Sequence, residues 1–558
     1  RRLPRRREGR GRGAELLSAV GNPILPGCHP DPSVCRVGDD YYLVTSTFEY
    51  FPGLPVFHST DLAHWECIGH VVTRPDQLDY AGIASSGGLY APAIRHHDGR
   101  FYVVCTLVDQ ADTSRGGNFC MTAADPAGPW SDPVWLDADG IDPSLFFDDD
   151  GRAWLHGTRL ARQPAWHDQT EVWVREFDLA TMSLVGPEHV IWNGALLGAV
   201  WAEGPHLYKV DGTYYLLAAE GGTEFHHAVS VARSESVTGP YDGNRANPVL
   251  THRHLGRSVD VVGTGHADLV QAVDGSWWAV LLAMRPIGGY HYPLGRETFL
   301  VPVVWEDGWP VFAPGVGRVP AEVDVPFAQT APSGDSGGLV APSDRRWTSL
   351  RGPASAFAEP DGDGWRLRLQ PASLSEPGTP SFLGIRQQHR DLDLHLTLRA
   401  VNHGDRYFGS PGVGAVNDGD RYFGSPGVLA PGEEAGLAIR QSERDHVRLA
   451  LVSAASGLLV RATHRRAGTD VLLGELALEA TGRVRLGVRV RGAEYSLWVR
   501  VGDRDVVVAT ADGRTLDSVA TGGFLGLWLG VYATSNGGPS GTVIAVEDFS
   551  YRPVDATQ

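Results

Sequence analysis

Asp211-Gly212-Thr213-Tyr214-Tyr215 decides the fold, because it is one motif of five. The chain also reads Asp39-Asp40-Tyr41-Tyr42, Asp98-Gly99-Arg100-Phe101-Tyr102, Asp150-Gly151-Arg152-Ala153-Trp154 and Asp274-Gly275-Ser276-Trp277-Trp278. The last aromatic of each motif recurs at intervals of 60, 52, 61 and 63 residues. Asp-Gly turns feeding short aromatic strands at a near-constant period indicate a radial β array, one blade per unit. Equivalent residues of the innermost strands then converge on a central axis. Counting back 11 or 12 residues from each aromatic gives Asp31, Tyr90, Asp142, Glu203 and His266. Three are carboxylates, so the repeat predicts one pocket holding Asp31, Asp142 and Glu203.

Outward from these motifs, the class is all-β. A five-bladed β-propeller is expected over residues 21–325, with strands such as Tyr41–Ser46, Phe101–Leu107, Tyr214–Ala219 and Trp277–Leu282. The stretches 59–65 and 236–241 read as turns closing outer hairpins. Residues 326–344 are polar and turn-rich and read as a linker. From 345 to 558 the pattern alternates in and out, as in Leu392–Ala400, Val484–Val490 and Glu494–Val501. That predicts an antiparallel β-sandwich of jelly-roll type. Inside it, residues 401–415 repeat almost verbatim as 416–430, which reads as a tandem duplication held in a surface loop. Residues 1–20, with seven arginines before Gly13, read as a disordered tail.

Composition narrows the function. A chain of 558 residues exceeds one hydrophobic core. Its net charge of −18 disfavours a nucleic-acid partner. No apolar run is long enough for a membrane helix. Five cysteines, with no C-x-x-C pair, suit neither a zinc framework nor a disulfide scaffold, so a reducing, cytoplasmic setting is expected. Cys28 beside His29 lacks the base and orienting group that a nucleophile needs, and reads as structural.

The carboxylates carry the chemistry. Asp31 lies in His29-Pro30-Asp31-Pro32-Ser33, Asp142 in Ile141-Asp142-Pro143-Ser144 and Glu203 in Trp201-Ala202-Glu203-Gly204-Pro205-His206. Asp-Pro is common turn punctuation, but three acids at repeat-related positions repel one another and need a reason. Inverting glycoside hydrolysis supplies one. It needs a protonated acid for the leaving oxygen and an ionised base for water, about 6.5–9.5 Å apart. A third carboxylate raises the acid's pKa. Glu203, flanked by apolar Trp201 and Pro205, is the expected acid; Asp31, near polar Ser33, is the expected base.

At these residues the chain resembles family 43 of the glycoside hydrolases, five-bladed propellers that include β-xylosidases and α-L-arabinofuranosidases. The likeness runs from Asn22-Pro23-Ile24-Leu25-Pro26-Gly27-Cys28-His29-Pro30-Asp31-Pro32-Ser33 through Ser46-Thr47-Phe48-Glu49-Tyr50-Phe51-Pro52-Gly53 to Leu294-Gly295-Arg296-Glu297-Thr298. The C-terminal part is similar to the concanavalin-like domain of the β-xylosidase branch. The resemblance implies that Asp31 is general base, Asp142 the pKa modulator and Glu203 general acid. It implies Arg296, with Arg285 as a weaker rival, as a sugar contact, and Phe48 and Tyr90 as pocket walls. It places His266 in the substrate site on the axis, as a structural residue or one beside a Ca2+ ion, in an enzyme needing no cofactor. An aromatic from the sandwich closes the pocket in that branch; Phe524 and Trp528 are the candidates, and Trp528 is assigned to the substrate site. The implied activity is inverting exo-hydrolysis of terminal β-1,4-xylosyl residues of xylo-oligosaccharides. α-L-Arabinofuranosidase action, alone or in addition, is the alternative, and a non-catalytic sugar-binding propeller the reading from another class. A homo-oligomer is left open.

Overall fold

The computed structural model describes residues 18–329, 338–401, 429–455, 457–479 and 482–554. Five antiparallel sheets succeed one another between residues 33 and 312. Their innermost strands are Ser33–Val37, Ala93–His97, Ile141–Phe147, Glu203–Val210 and Val262–Gln271. Each pairs with the strand that follows it, and the rest of the sheet is laid down outward in chain order.

The Asp-Gly motifs do what the repeat predicts, in two ways. In the second and fourth blades they are two-residue hairpin loops, with Asp98 and Gly99 at φ 48° and 72° and Asp211 and Gly212 at φ 49° and 82°. Two consecutive left-handed residues match the twist of the flanking strands, and Asp-Gly accepts that geometry. In the third and fifth blades the loops are longer, joining Phe147 to Ala153 and Gln271 to Trp277.

Five apolar clusters lie between successive blades and complete a ring. Ile94 and Phe101 pack with Val44 and Val56; Leu145 and Trp173 with Val104; Leu207 and Leu216 with Trp154; Leu269 and Leu281 with Leu217; Val34 and Leu43 with Trp278 and Val280. The fifth cluster joins the last blade to the first, so the array is a closed five-bladed propeller.

The C-terminal part is a two-layer sandwich. A seven-stranded sheet containing Asp391–Val401, Val484–Arg491 and Val543–Pro553 faces a six-stranded sheet containing Ser381–Arg386, Trp528–Thr534 and Glu434–Arg440. Alternate residues such as Leu392, Leu394, Leu396 and Leu398 enter its core. A separate seam of Phe48, Tyr50, Phe382, Trp528 and Tyr532 joins sandwich to propeller.

Three expected boundaries move. Ser18–Gly21 is a strand paired with Glu322–Val325, and Val20 is buried, so the expected tail overlaps an ordered strand at its end. Val340, inside the expected linker, belongs to the sandwich core. Ser349–Leu350, expected in the sandwich, pairs with Tyr50–Phe51 of the propeller. The readings for residues 1–17 and for the duplication at 402–428 lie outside the described residues.

Candidate active site

Asp31, Asp142 and His266 share a backbone conformation, with φ of 55°, 53° and 50°. Each lies two residues before a register-equivalent position: Ser33 opposite Val44, Ser144 opposite His156 and Asp268 opposite Val280. The expected equivalence of Tyr90 and Glu203 needs correction. The matching residues of the second and fourth blades are Ala91 and Gly204, two before Ala93 and His206, so Tyr90 and Glu203 each stand one residue earlier. The hairpin loops of the second and fourth blades are shorter than those of the third and fifth, so the same count back from the aromatic lands one residue early there. Gly204 has φ 55°, and a Cβ there would lie 2.8 Å from the His266 ring, so the position demands glycine.

Asp31 is 5% exposed. Ser46 Oγ donates to its Oδ2 at 2.6 Å and Arg296 Nη1 to its Oδ1 at 2.8 Å; His266 Nδ1 is 3.6 Å away. Burial pushes its pKa up, but Arg296, His266 and Ser46 outweigh that and hold it below the usual carboxylate range. Asp142 accepts the Gly204 N–H at 3.0 Å. Its pKa is raised, by burial first and then by the charge of Asp31, against the pull of His266. Glu203 is raised well above its ordinary value, by burial, by Asp142 and by Asp31, with Arg296 the one opposing charge. Its side chain is only partly shielded from solvent, and no described residue hydrogen-bonds its carboxyl. One acid is thus biased toward the ionised form and another toward the protonated form in the same group, which is what acid–base catalysis needs.

The walls are aromatic and come from both domains. Phe48 meets Tyr90 edge-on with ring centroids 5.7 Å apart and lies nearly parallel to Phe524 at 6.1 Å. The Arg296 guanidinium sits 5.6 Å from the Phe48 ring and 5.5 Å from the Phe524 ring. Besides Asp31 it donates to Thr223 at 3.2 Å, and among the described residues its Nη2 has no partner. Tyr90 is fixed by donating to Ser86 O and accepting from Gln110. The sandwich loop is pinned through Phe524 N to Ser86 Oγ at 2.9 Å and Leu527 N to Pro293 O at 2.9 Å. Gly295 lies against Gly526, where an added Cβ would come within 2.8 Å of backbone.

Two assignments fall. Trp528 is 1% exposed and stacked on Tyr50 at 3.9 Å, so its ring cannot reach a sugar; Phe524 is the sandwich residue at the pocket. Arg285 is held by Glu297 through two bonds of 2.7 Å and is not a rival to Arg296. Sequence reasoning had no signal for Gln110 or Thr223, which lie in loops. It also missed the group beneath the acids. There Arg95 donates to Asp268 at 2.8 Å, to Ser33 at 3.0 Å and to His206 at 2.9 Å, cross-linking four inner strands around the axis.

His266 faces His206, with ring centroids 6.5 Å apart, and its nearest carboxylate, Asp31, is already taken by Arg296 and Ser46. Calcium takes six to eight oxygens, so this imidazole-rich donor set does not fit it. Cys28 is buried, its thiol pKa is raised by that burial, and its Sγ accepts from Gly526 N. It is a packing residue. Among the described residues no helix is long and apolar enough to cross a membrane.

Comparison with known proteins matches this geometry. Residues 20–310 match the model of glycosyl hydrolases family 43, and residues 428–552 that of the β-xylosidase C-terminal concanavalin A-like domain. A xylosidase/arabinosidase of Butyrivibrio fibrisolvens is 40% identical over 96% of this chain and 99% of its own. A non-reducing end α-L-arabinofuranosidase of Bacteroides ovatus is 37% identical over 96% of this chain and 95% of its own. Among solved structures, a xylan β-1,4-xylosidase from Bacillus halodurans superposes with TM-score 0.83 at 32% identity, covering 96% of this chain and all of that one. Five blades, a sandwich sealed against them and three acids on the axis have one account: the chain belongs to family 43 of the glycosyl hydrolases and is a glycoside hydrolase.

Proposed function

We propose that the chain is an inverting exo-glycosidase that removes terminal β-1,4-linked xylosyl residues from xylo-oligosaccharides. The observation that carries this is the pairing of Asp31 with Arg296 at 2.8 Å and Ser46 at 2.6 Å, which favours its ionised form, while burial and two acidic neighbours favour the protonated form of Glu203. Asp31 takes a proton from water as that water attacks the anomeric carbon. Glu203 gives its proton to the departing glycosidic oxygen. Asp142 touches neither; its charge and its bond to Gly204 N keep Glu203 protonated and placed. Phe48, Tyr90 and Phe524 wall the terminal sugar, and the free Nη2 of Arg296 is available to its hydroxyls. Phe524 and its loop limit the depth of the pocket, which favours attack at a chain end.

α-L-Arabinofuranosidase activity in the same pocket is the second reading, favoured by the two full-length relatives named for it. Paired nitrophenyl β-xyloside and α-L-arabinofuranoside assays rank the two. Proton NMR in the first minutes of β-xyloside hydrolysis should show α-xylose. Initial β-xylose means a covalent intermediate and overturns the single-displacement mechanism.

A further inference from the structure

Six arginines are buried among the described residues. Five have carboxylate partners: Arg159 with Glu171 and Glu188, Arg296 with Asp31, Arg351 with Glu443, Arg440 with Glu49 and Glu443, and Arg448 with Glu434 and Asp470. The sixth, Arg386, has none. It ends the sandwich strand Ser381–Arg386 and is 7% exposed. Its Nε donates to Cys28 O at 2.7 Å, and its guanidinium lies 5.3 Å from the Trp528 ring. The groups that act on its charge are Cys28, Cys67 and Tyr50, all of which burial keeps neutral. A buried cation without a counter-charge is costly, and a fold that keeps one gains from an anion that arrives later.

The place for that anion exists. Arg386 lines a cavity of about 570 Å³ between the first blade and the sandwich, within the usual range for small-molecule sites. Among the described residues none accepts from its Nη1 or Nη2. His29, 6% exposed, lines the same cavity with its Nδ1 also unpartnered. Burial and Arg386 keep His29 neutral, so the ring offers hydrogen bonding rather than charge. Phe57 and Trp65 supply aromatic surface, and Arg345 stands at the exposed rim. Of the lining acids, Asp344 is spent on Arg346 at 2.6 Å, and Glu66 is exposed. The lining charges of Arg345, Arg346, Arg386, Asp344 and Glu66 sum to +1, in a chain whose net charge is −18.

We propose that this cleft binds an organic carboxylate carried on a ring, a uronic acid being the fitting class. The two free nitrogens of Arg386 form the fork for the carboxylate, His29 adds a hydrogen bond, and Trp65 and Phe57 pack the ring. The site is distinct from the catalytic pocket: its lining includes none of Asp31, Asp142, Glu203, Arg296, Phe48, Tyr90 and Phe524.

Isothermal titration of the full chain with sodium glucuronate, sodium phosphate and neutral xylose tests this. Glucuronate should bind. Arg386→Met should weaken it at least about tenfold, as expected for loss of a charge-assisted fork, while glycoside turnover is retained. Arg345→Glu, at the exposed rim, should weaken it several-fold and keeps the test valid if the buried variant fails to fold. No binding of glucuronate overturns the proposal, as does unchanged affinity in both variants. Glucuronate acting as a competitive inhibitor insensitive to Arg386→Met would place it in the catalytic pocket and also overturn it. Binding of phosphate alone would make the occupant an inorganic oxyanion and remove the carboxylate assignment.

Discussion

Two buried groups of acids lie side by side in this molecule and behave in opposite ways. In the pocket, Asp31, Asp142 and Glu203 share one arginine, Arg296. At the seam, Glu49 and Glu443 share two, Arg440 and Arg351. Arg440 and Glu49 are fully buried, 3.1 Å apart, one from the sandwich and one from the propeller. The seam has an arginine for each acid, although burial and Glu443 still raise the pKa of Glu49, and it is held further by Tyr50 and Ser85, both within 2.8 Å of Arg440. The pocket is short of positive charge, and the shortfall appears as a proton kept on Glu203. Counting cations against acids thus separates adhesive from catalytic machinery. The two touch: Glu49 follows Phe48, and its Oε2 accepts from Ser86 N, whose hydroxyl holds Phe524.

The largest break in this contrast comes from the pocket base. Asp31→Asn should lower turnover about 10⁴-fold on every substrate, since no other ionised group can take the proton from water. Melting temperature should fall at neutral pH, because the fold favours the ionised form of Asp31 and the variant leaves buried Arg296 without its carboxylate. A loss under tenfold would remove Asp31 from the role of base.

Glu203→Gln separates chemistry from stability. Natural xylobiose should lose about 10³-fold and an activated aryl xyloside about 10-fold, since a good leaving group needs little protonation. Equal losses would refute the acid assignment. The variant should also be more stable than the parent at pH 7.5 and equal to it at pH 4. The folded pKa of Glu203 is raised, so the folded state binds an extra proton and loses stability as pH rises above the ordinary value of 4.5. Gln has no such dependence.

The seam should give the reverse pattern. Arg440→Met leaves two buried carboxylates short of a partner and should cost about 3–5 kcal/mol in urea unfolding. Below its melting temperature the variant should retain turnover within about tenfold, because Arg440 acts on the pocket only through Glu49, Ser86 and Phe524. For Glu443 the sign of pH dependence is opposite to that of Glu203, whereas Glu49, raised by burial, shares the sign of Glu203. Glu443 is held down to about 2 by Arg440 and Arg351 against burial, so its contribution is complete above pH 4.5 and is lost as pH falls from there toward 2. Loss of activity with full stability in Arg440→Met would move that residue into the catalytic group.

How much of this contrast was legible follows from its geometry. The pocket acids stand on a repeat, and a repeat is visible in a single chain. The one-residue offset of Tyr90 and Glu203 was hidden, because the Asp-Gly motif reads alike in a two-residue hairpin and in a longer loop. The seam was invisible: Arg440 and Glu49 are 391 residues apart, and the stretch 46–53 that contains Glu49 carries no sign of its partner. Phe524 and Trp528 could not be ranked by alternation alone. The strand begins at Trp528, so its ring turns into the seam while Phe524 stays in the loop at the pocket.

The smallest effect tests the pocket's tuning rather than its parts. Ser46 donates to Asp31 Oδ2 at 2.6 Å and is 1% exposed, so its hydroxyl favours the ionised form and touches no other acid of the group. The profile of kcat/KM against pH should be a bell. Its acid limb follows Asp31 and lies below the usual carboxylate range; its alkaline limb follows Glu203 and lies well above it. Ser46→Ala removes one of the interactions opposing the burial of Asp31. The acid limb should therefore move to higher pH, while the alkaline limb stays where it is and the plateau changes little. Movement of the alkaline limb instead would mean that Ser46 tunes Glu203, and that base and acid are exchanged. Movement of both limbs together would mean that the acids titrate as one indivisible unit, and the contrast with the seam would then rest on total charge and not on separate roles.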